Sequence, residues 1–215
     1  TQNDQASIKL KNMTLSGTEK LILASGSLAR KTMMQDAGLA FDVIPADIDE
    51  YSIQAEMEAA QAPLIDIPER LAIEKARAVS ETHPDALVIG SDQILVYDDV
   101  IFIKSTSPAQ AREKLKTLSG QTHYLMTGVA LLQGGKVLWS YKNSCALTMH
   151  DLDDALLDYY IEHAGQGLMR AVGAYEIEGL GAWLFKDMQG DSYSIRGMPL
   201  LPLLAKLRQY GGFIA

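Results

Sequence analysis

Five residues in this chain could do chemistry together: Arg30, Glu50, Lys75, Asp92 and Lys104. Each stands near the end of a strand-like run or on a helix beside one. Hard carboxylates such as Glu50 and Asp92 suit Mg²⁺ or Mn²⁺. Basic side chains suit the phosphates that such ions accompany. Read together, the set points to metal-dependent phosphate chemistry. Other chemistries find less support. His83, His123, His150 and His163 are scattered without metal-ligand spacing. No GxSxG elbow, Walker motif or GxGxxG loop is present. Plain alternatives stand beside the chemical reading. Glu50 closes an acidic loop, Asp47-Ile48-Asp49-Glu50, of the kind usually solvated. Lys75 lies at the edge of a helix stripe, where lysines ordinarily snorkel to solvent.

The elements that must position these residues begin with Leu21 to Gly38, LILASGSLARKTMMQDAG. The pattern predicts a buried strand, a break at Ser25-Gly26-Ser27 and an amphipathic helix stopped by Gly38. A strand, a small-residue turn and a helix N-terminus gather unpaired N–H groups, which is an anion site. Arg30 and Lys31 in the first turn oppose the helix dipole, which a bound anion would offset. Ala40 to Ala46 reads as a second strand. Residues 51–65 read as a short helix and loop, and a longer helix starts near Pro68. Its stripe is Leu71, Ala72, Ala76 and Val79.

Ala86 to Gly90 is a short apolar run, the pattern of a strand buried on both faces. Asp92 would follow just beyond it, where open α/β sheets place their chemistry. A hairpin turns at Asp98-Asp99, and Lys104 closes its second arm. A helix over Pro108 to Leu118 precedes two long strands, Tyr124 to Leu132 and Lys136 to Thr148, joined at Gln133-Gly134-Gly135. A helix over 151–163, a glycine-rich stretch, a strand over Ala182 to Lys186, a turn at Met188 to Asp191 and a helix over Pro199 to Tyr210 complete the chain. The order implies an α/β fold with a mixed sheet.

At 215 residues, 47% of them hydrophobic, the chain suits one domain with a real core. A net charge of −8 disfavours binding to a nucleic-acid polymer or an anionic membrane surface. The single cysteine, Cys145, excludes an intrachain disulfide. Residues 1–20 are polar, lack an apolar signal core and read as a flexible extension; residues 21–215 read as the domain. A cytoplasmic location is the expectation.

Several blocks resemble one family in collinear order. LILASGSLARKTMMQDAGLAFDVIPADIDE, ERLAIEKARAV, HPDALVIGSDQILV, LSGQTHYLMTGVALL, VGAYEIEGLGAWLF and GMPL resemble the Maf family of nucleotide pyrophosphatases. The resemblance implies a Maf/ITPase-like α/β fold, an elongated, curved mixed sheet flanked by helices around a nucleotide-binding cleft. It implies hydrolysis of a nucleoside triphosphate to the monophosphate and pyrophosphate with a divalent metal, Mg²⁺ or Mn²⁺, by a homodimer. Ser27 and Arg30 fall on the family's phosphate-gripping turn, Lys75 in its "EKA" block and Lys104 on the lysine of its "GKP" block. Asp92 falls on the catalytic aspartate, and Glu50 with Asp92 would hold the metal.

The resemblance also bears on the base. Members acting on thymidine and uridine triphosphates look like SPRR, ADT and IQG at three variable places; those acting on 7-methyl-GTP look like SPWRR, SDQ and SEG. Here the second and third read Ser91-Asp92-Gln93 and Ile177-Glu178-Gly179. Gln93 and Glu178 therefore agree with the 7-methyl-GTP type. A carboxylate can accept from the N1–H and exocyclic amine of guanine, and N7-methylation makes that base cationic and strengthens the contact. A glutamine's mixed edges better suit a pyrimidine imide. The chain departs at Leu28 where the family has Pro, at Ala29 where it has Arg or Trp, and at Lys31 for a second Arg. It departs again at Ile103 and Ser105, which flank Lys104. Tyr175 and Trp183 are near in sequence to Glu178, and both suit packing better than base stacking. Two alternatives stay open: a dTTP/UTP pyrophosphatase, or a catalytically weak nucleotide-binding regulator of cell division and septum formation.

Overall fold

The computed structural model describes residues 20–210. The extension expected over 1–20 therefore lies, Lys20 apart, outside the described residues. Strand β1 (Leu21–Leu23) leads into helix α1 (Leu28–Asp36), as the pattern predicts. The second strand is shorter than expected. Only Asp42–Val43 (β2) pairs, because β1 offers it two partners, Ile22 and Leu23. Helices α2 (Glu50–Ala59) and α3 (Asp66–Thr82) follow. Strand β3 runs Leu87–Tyr97 and turns through Asp98 and Asp99, both at positive φ, into β4 (Val100–Phe102). Two residues of positive φ are what a tight primed hairpin turn demands.

Helix α4 (Pro108–Leu118) precedes the long hairpin β5 (Thr122–Gln133) and β6 (Lys136–Met149). Then come α5 (Asp154–His163), the short α6 (Gly167–Arg170), a 3-10 turn (Leu180–Leu184), β7 (Phe185–Gln189), the short α7 (Ser192–Ile195) and α8 (Leu200–Leu207). The last strand is thus displaced from the expected Ala182 to Lys186. Residues 180–184 coil as a 3-10 turn, and the expected turn at Met188 is strand, paired to Leu147 of β6.

The strands form one mixed sheet in the order β2-β1-β3-β5-β6-β7, with β4 on the free edge of β3. β2, β1 and β3 are mutually parallel and the rest antiparallel. One face packs on α3 through Ile22, Val88, Ala130, Ala72, Ala76 and Val79. The other face carries two separate apolar clusters. One joins β1, β3 and β5 to α1 and α8 through Met33, Met34, Ile89 and Leu203. The other packs Leu125 and Leu147 under α4 and α5 through Leu115, Leu118 and Leu157. Fully burying side chains of this size contributes roughly 1.5–3 kcal/mol each. No helix among the described residues is long and apolar enough to cross a membrane.

Candidate active site

The sheet is split at one place. β3 pairs with β5 without interruption from Val88 to Val96. Its other edge is taken by β1 only as far as Ile89 and by β4 only from Leu95. Residues Gly90 to Ile94 therefore face a slot between β1 and β4. The turn after β1, Ser25 to Ser27, forms one rim; the chain leaving β4, Ile103-Lys104, forms the other. Asp92 is the middle residue of the open edge. It lies inside a continuous strand and not just beyond one as expected, since β5 supports β3 along its whole far side.

Strand alternation puts Gly90 and Asp92 on the α3 face. Glycine is required there: a Cβ at Gly90 would lie 1.9 Å from the Ala72 carbonyl oxygen, and one at Gly128 would lie 2.4 Å from the backbone of Pro68 and Glu69. These two contacts seat the backbone of α3 directly on the sheet. Ala72, Lys75, Ala76 and Val79 then share the buried face at helical spacing. Lys75 is consequently central and buried, and the surface reading of it is corrected. Its Nζ lies 2.6 Å from Asp92 Oδ1 and 2.9 Å from Glu50 Oε1. The sum of those contacts puts the two carboxylate oxygens within about 5.5 Å of each other. Glu50 arrives from the first residue of α2, whose N-cap Asp49 accepts from Ser52 N–H. The acidic loop is thus one helix cap and one site carboxylate.

The turn after β1 also closes inward. Ser27 caps α1, accepting from Arg30 N–H. Arg30 is buried although it sits in a helix's first turn. Its Nη1 donates to Ser25 Oγ at 3.0 Å and its Nε to the Gly197 carbonyl at 2.8 Å. Burial pushes the guanidinium below the usual arginine value, and the charges of Asp92 and Glu50 hold it up, so Arg30 lies in the field of the two site carboxylates. Ser91, on the opposite face from Asp92, donates to the carbonyls of Gly128 and Gly197. Sequence reasoning placed Ser25 in the turn and Ser91 beside Asp92 without a role for either side chain, and it missed the Gly197 carbonyl. The signal for Gly197 was its place in the GMPL block.

The remaining candidates separate. Gln93 projects to the face opposite α3, where Nε2 donates to Thr127 Oγ1 at 3.0 Å, Ser194 O at 2.9 Å and Ile195 O at 3.3 Å. The two backbone carbonyls, which can only accept, are what place the nitrogen at that end of the amide. Glu178 Oε1 accepts from Arg196 Nε at 2.9 Å. Arg196 is the neighbour of Gly197, so this pair lies one residue from the carbonyl that holds Arg30. Ala29 is half-buried in the first turn of α1, and Leu28 beside it is exposed. Lys104 is exposed and is not drawn into the Lys75–Asp92–Glu50 cluster. Tyr175 is a packing residue: its ring meets Phe185 edge-on at 4.7 Å, and its hydroxyl lies 2.6 Å from His123 Nε2. Trp183 is not, being 75% exposed.

Among the described residues no three His, Cys, Asp or Glu side chains converge as a metal-binding group. Glu50 and Asp92 fit a different arrangement. Mg²⁺ is commonly held by one or two carboxylates together with substrate phosphates and water. Two carboxylates of this spacing fit the protein's share of such a donor set.

The family described as Maf-like protein matches residues 20–210. A protein of Mesorhizobium japonicum named 7-methyl-GTP pyrophosphatase is 43% identical over 194 residues, 90% of this chain and 98% of its own length. One of Maricaulis maris named nucleoside triphosphate pyrophosphatase is 42% identical over 192 residues, 89% of this chain and 97% of its own. A solved nucleoside-triphosphatase, dITP/XTP pyrophosphatase, from Mycobacterium abscessus aligns at a TM-score of 0.44 and 15% identity, covering 88% of this chain and 100% of its own.

Proposed function

The chain belongs to the Maf-like family, and from that premise we propose that it hydrolyses a nucleoside triphosphate to the monophosphate and pyrophosphate. The observation that carries this reading is the buried Lys75 held between Asp92 and Glu50 at the slot in the sheet. A lysine and two carboxylates brought together from α2, α3 and β3 have no packing reason to be there, and they suit a charged ligand and its counterion. Glu50 and Asp92 would hold a divalent cation. When bound, such an ion neutralises phosphate charge and favours ionisation of water near it. Asp92 positions a water and accepts its proton as the water oxygen bonds to the α-phosphorus. The bond from the α-phosphorus to the bridging oxygen breaks, and pyrophosphate leaves. Lys75, turned toward the phosphates, and Arg30, fixed by Ser25 and Gly197, oppose the negative charge that develops. Ser27 and the N–H groups of the α1 N-terminus grip the same phosphates, and Lys104 approaches from the facing rim.

For the base we propose 7-methylguanine. Gln93 and Glu178 match the residues of that type, and the Mesorhizobium japonicum relative carries that name. Glu178 Oε1 accepts from Arg196 Nε, and the second lone pair of that oxygen together with Oε2 remains for the paired donors of the base edge.

Pyrophosphate release across canonical and modified nucleoside triphosphates, with Mg²⁺ or Mn²⁺, tests both levels. We expect turnover, fastest on 7-methyl-GTP. No turnover on any nucleotide would remove the enzymatic reading, and preference for dTTP or UTP would remove the base assignment. Asp92→Asn should lose at least 100-fold in kcat, on the order of what general-base removal costs, while still binding nucleotide.

A further inference from the structure

Lys114 is a buried charge that the proposed chemistry does not use. It lies two turns into α4 on the face shared with Ala111, Leu115 and Leu118, and it is 9% exposed. Its Nζ donates to two backbone carbonyls from two different loops. One is Ile103, immediately before Lys104; the other is Val172, at 2.7 Å, in the stretch that leads to Glu178. Burial pulls the ammonium down to about 8. A methionine would fill similar volume without that desolvation cost, so packing alone does not explain a lysine here. The first loop is tied to α4 at its far end, where Thr106 donates to Gln110 Oε1 and Ser107 caps the helix, but not beside Lys104. Ser105, next to Lys104, has a buried hydroxyl with no hydrogen-bond partner among the described residues. The turn of Ser25 to Arg30 is braced by its serines and by the Gly197 carbonyl; beside Lys104 the facing rim is held by Lys114.

We infer that Lys114 is a positioning residue, clamping the loop that carries Lys104 to the stretch that leads from Val172 toward Glu178. The hydrogen-bond geometry assigns it. Lys104 is exposed and has a long, flexible side chain, so its reach is set by where Ile103 holds the backbone. With the clamp, Lys104 starts from the mouth of the slot, opposite the Ser25 turn. Without it, the backbone at Ile103 loses its hold and Lys104 can shift from the phosphates, and a displacement of about 1 Å can cost on the order of 100-fold in rate.

The inference rests on the triphosphate reading for its kinetic consequence and not for the clamp itself, so two measurements separate them. Hydrogen exchange of the wild-type protein and of Lys114→Met reports the clamp. Amides of residues 103–107 and 172–179 should exchange faster in the variant, with β3 and β5 unchanged; equal exchange in those loops would overturn the clamp. Steady-state pyrophosphate release then reports its purpose. Lys114→Met should lower kcat/KM by about 10- to 100-fold, mostly through KM. Lys114→Arg, which keeps a charged donor for both carbonyls, should restore most of it. In the Lys114→Met background, Lys104→Ala should cost little more, because the residue it removes is already misplaced. Full additivity of the two substitutions would show that Lys114 does not act through Lys104. A wild-type protein inactive on every nucleotide would refute the triphosphate reading and leave the exchange result standing.

Discussion

Replacing Lys75 by methionine keeps the volume of the side chain and deletes its charge. Lys75 and Asp92 are each 10% exposed at their side chains and meet at 2.6 Å, whereas Glu50 is 54% exposed. The Glu50 contact is solvated and contributes at most about 1 kcal/mol. Asp92 is different: without Lys75 a buried carboxylate loses its closest counterion. Breaking a buried pair from one side costs about 3–5 kcal/mol. Arg30 shares the same field and offsets part of that, so we expect about 3 kcal/mol. For a chain of this size, that is roughly 6–12 °C in Tm. Adding Asp92→Asn removes the stranded charge, and the double variant should recover at least 2 kcal/mol, about half or more of a buried-pair penalty. Urea unfolding of the wild type, both single variants and the double variant, analysed as a cycle, reads the coupling directly. If Lys75→Met costs under about 1 kcal/mol, the pair behaves as a surface pair. If instead the two losses simply add, Lys75 and Asp92 are not coupled. Either result would refute the reasoning.

Gly90→Ala places a Cβ where the Ala72 carbonyl now sits. It should lift α3 from the sheet, cost about 3 kcal/mol or more as overpacking, and reduce turnover by moving Lys75; thermal unfolding with a parallel assay checks both. Burial holds His123 down at about 4, below its unfolded value near 6.5. The unfolded chain therefore binds the extra proton between those values, and stability falls as pH drops from about 6.5 to 4, by about 3 kcal/mol at the lower end. His123→Gln keeps a partner for Tyr175 without titrating, so denaturation midpoints across that range should fall less steeply than in the wild type. Glu178→Gln should narrow the preference for 7-methyl-GTP over pyrimidine triphosphates; competition kinetics read the ratio, and an unchanged ratio would mean that Glu178 does not contact the base.

The sequence by itself determined the elements whose signals are local. The strand, serine turn and helix from Leu21 to Gly38, the hairpin at Asp98-Asp99, the helix over Pro108 to Leu118 and the long hairpin at Gly134-Gly135 all stand where propensity and turn chemistry put them. Collinear blocks also marked Arg30, Glu50, Lys75 and Asp92 before any contact was visible. The tertiary structure decided what depends on partners far away in the chain. β2 is two residues long because β1 offers it no more, and β3 runs on past Asp92 because β5 supports it. Lys75 is buried because Gly90 and Gly128 let α3 settle onto the sheet, a fact of backbone approach with no helical signature. Arg30 is held by Gly197, 167 residues away. Lys114 sits on an apolar stripe in the sequence like any snorkelling lysine. Only the meeting of two loops above α4 turns its ammonium into a clamp, because backbone carbonyls carry no mark in the sequence of where they will point.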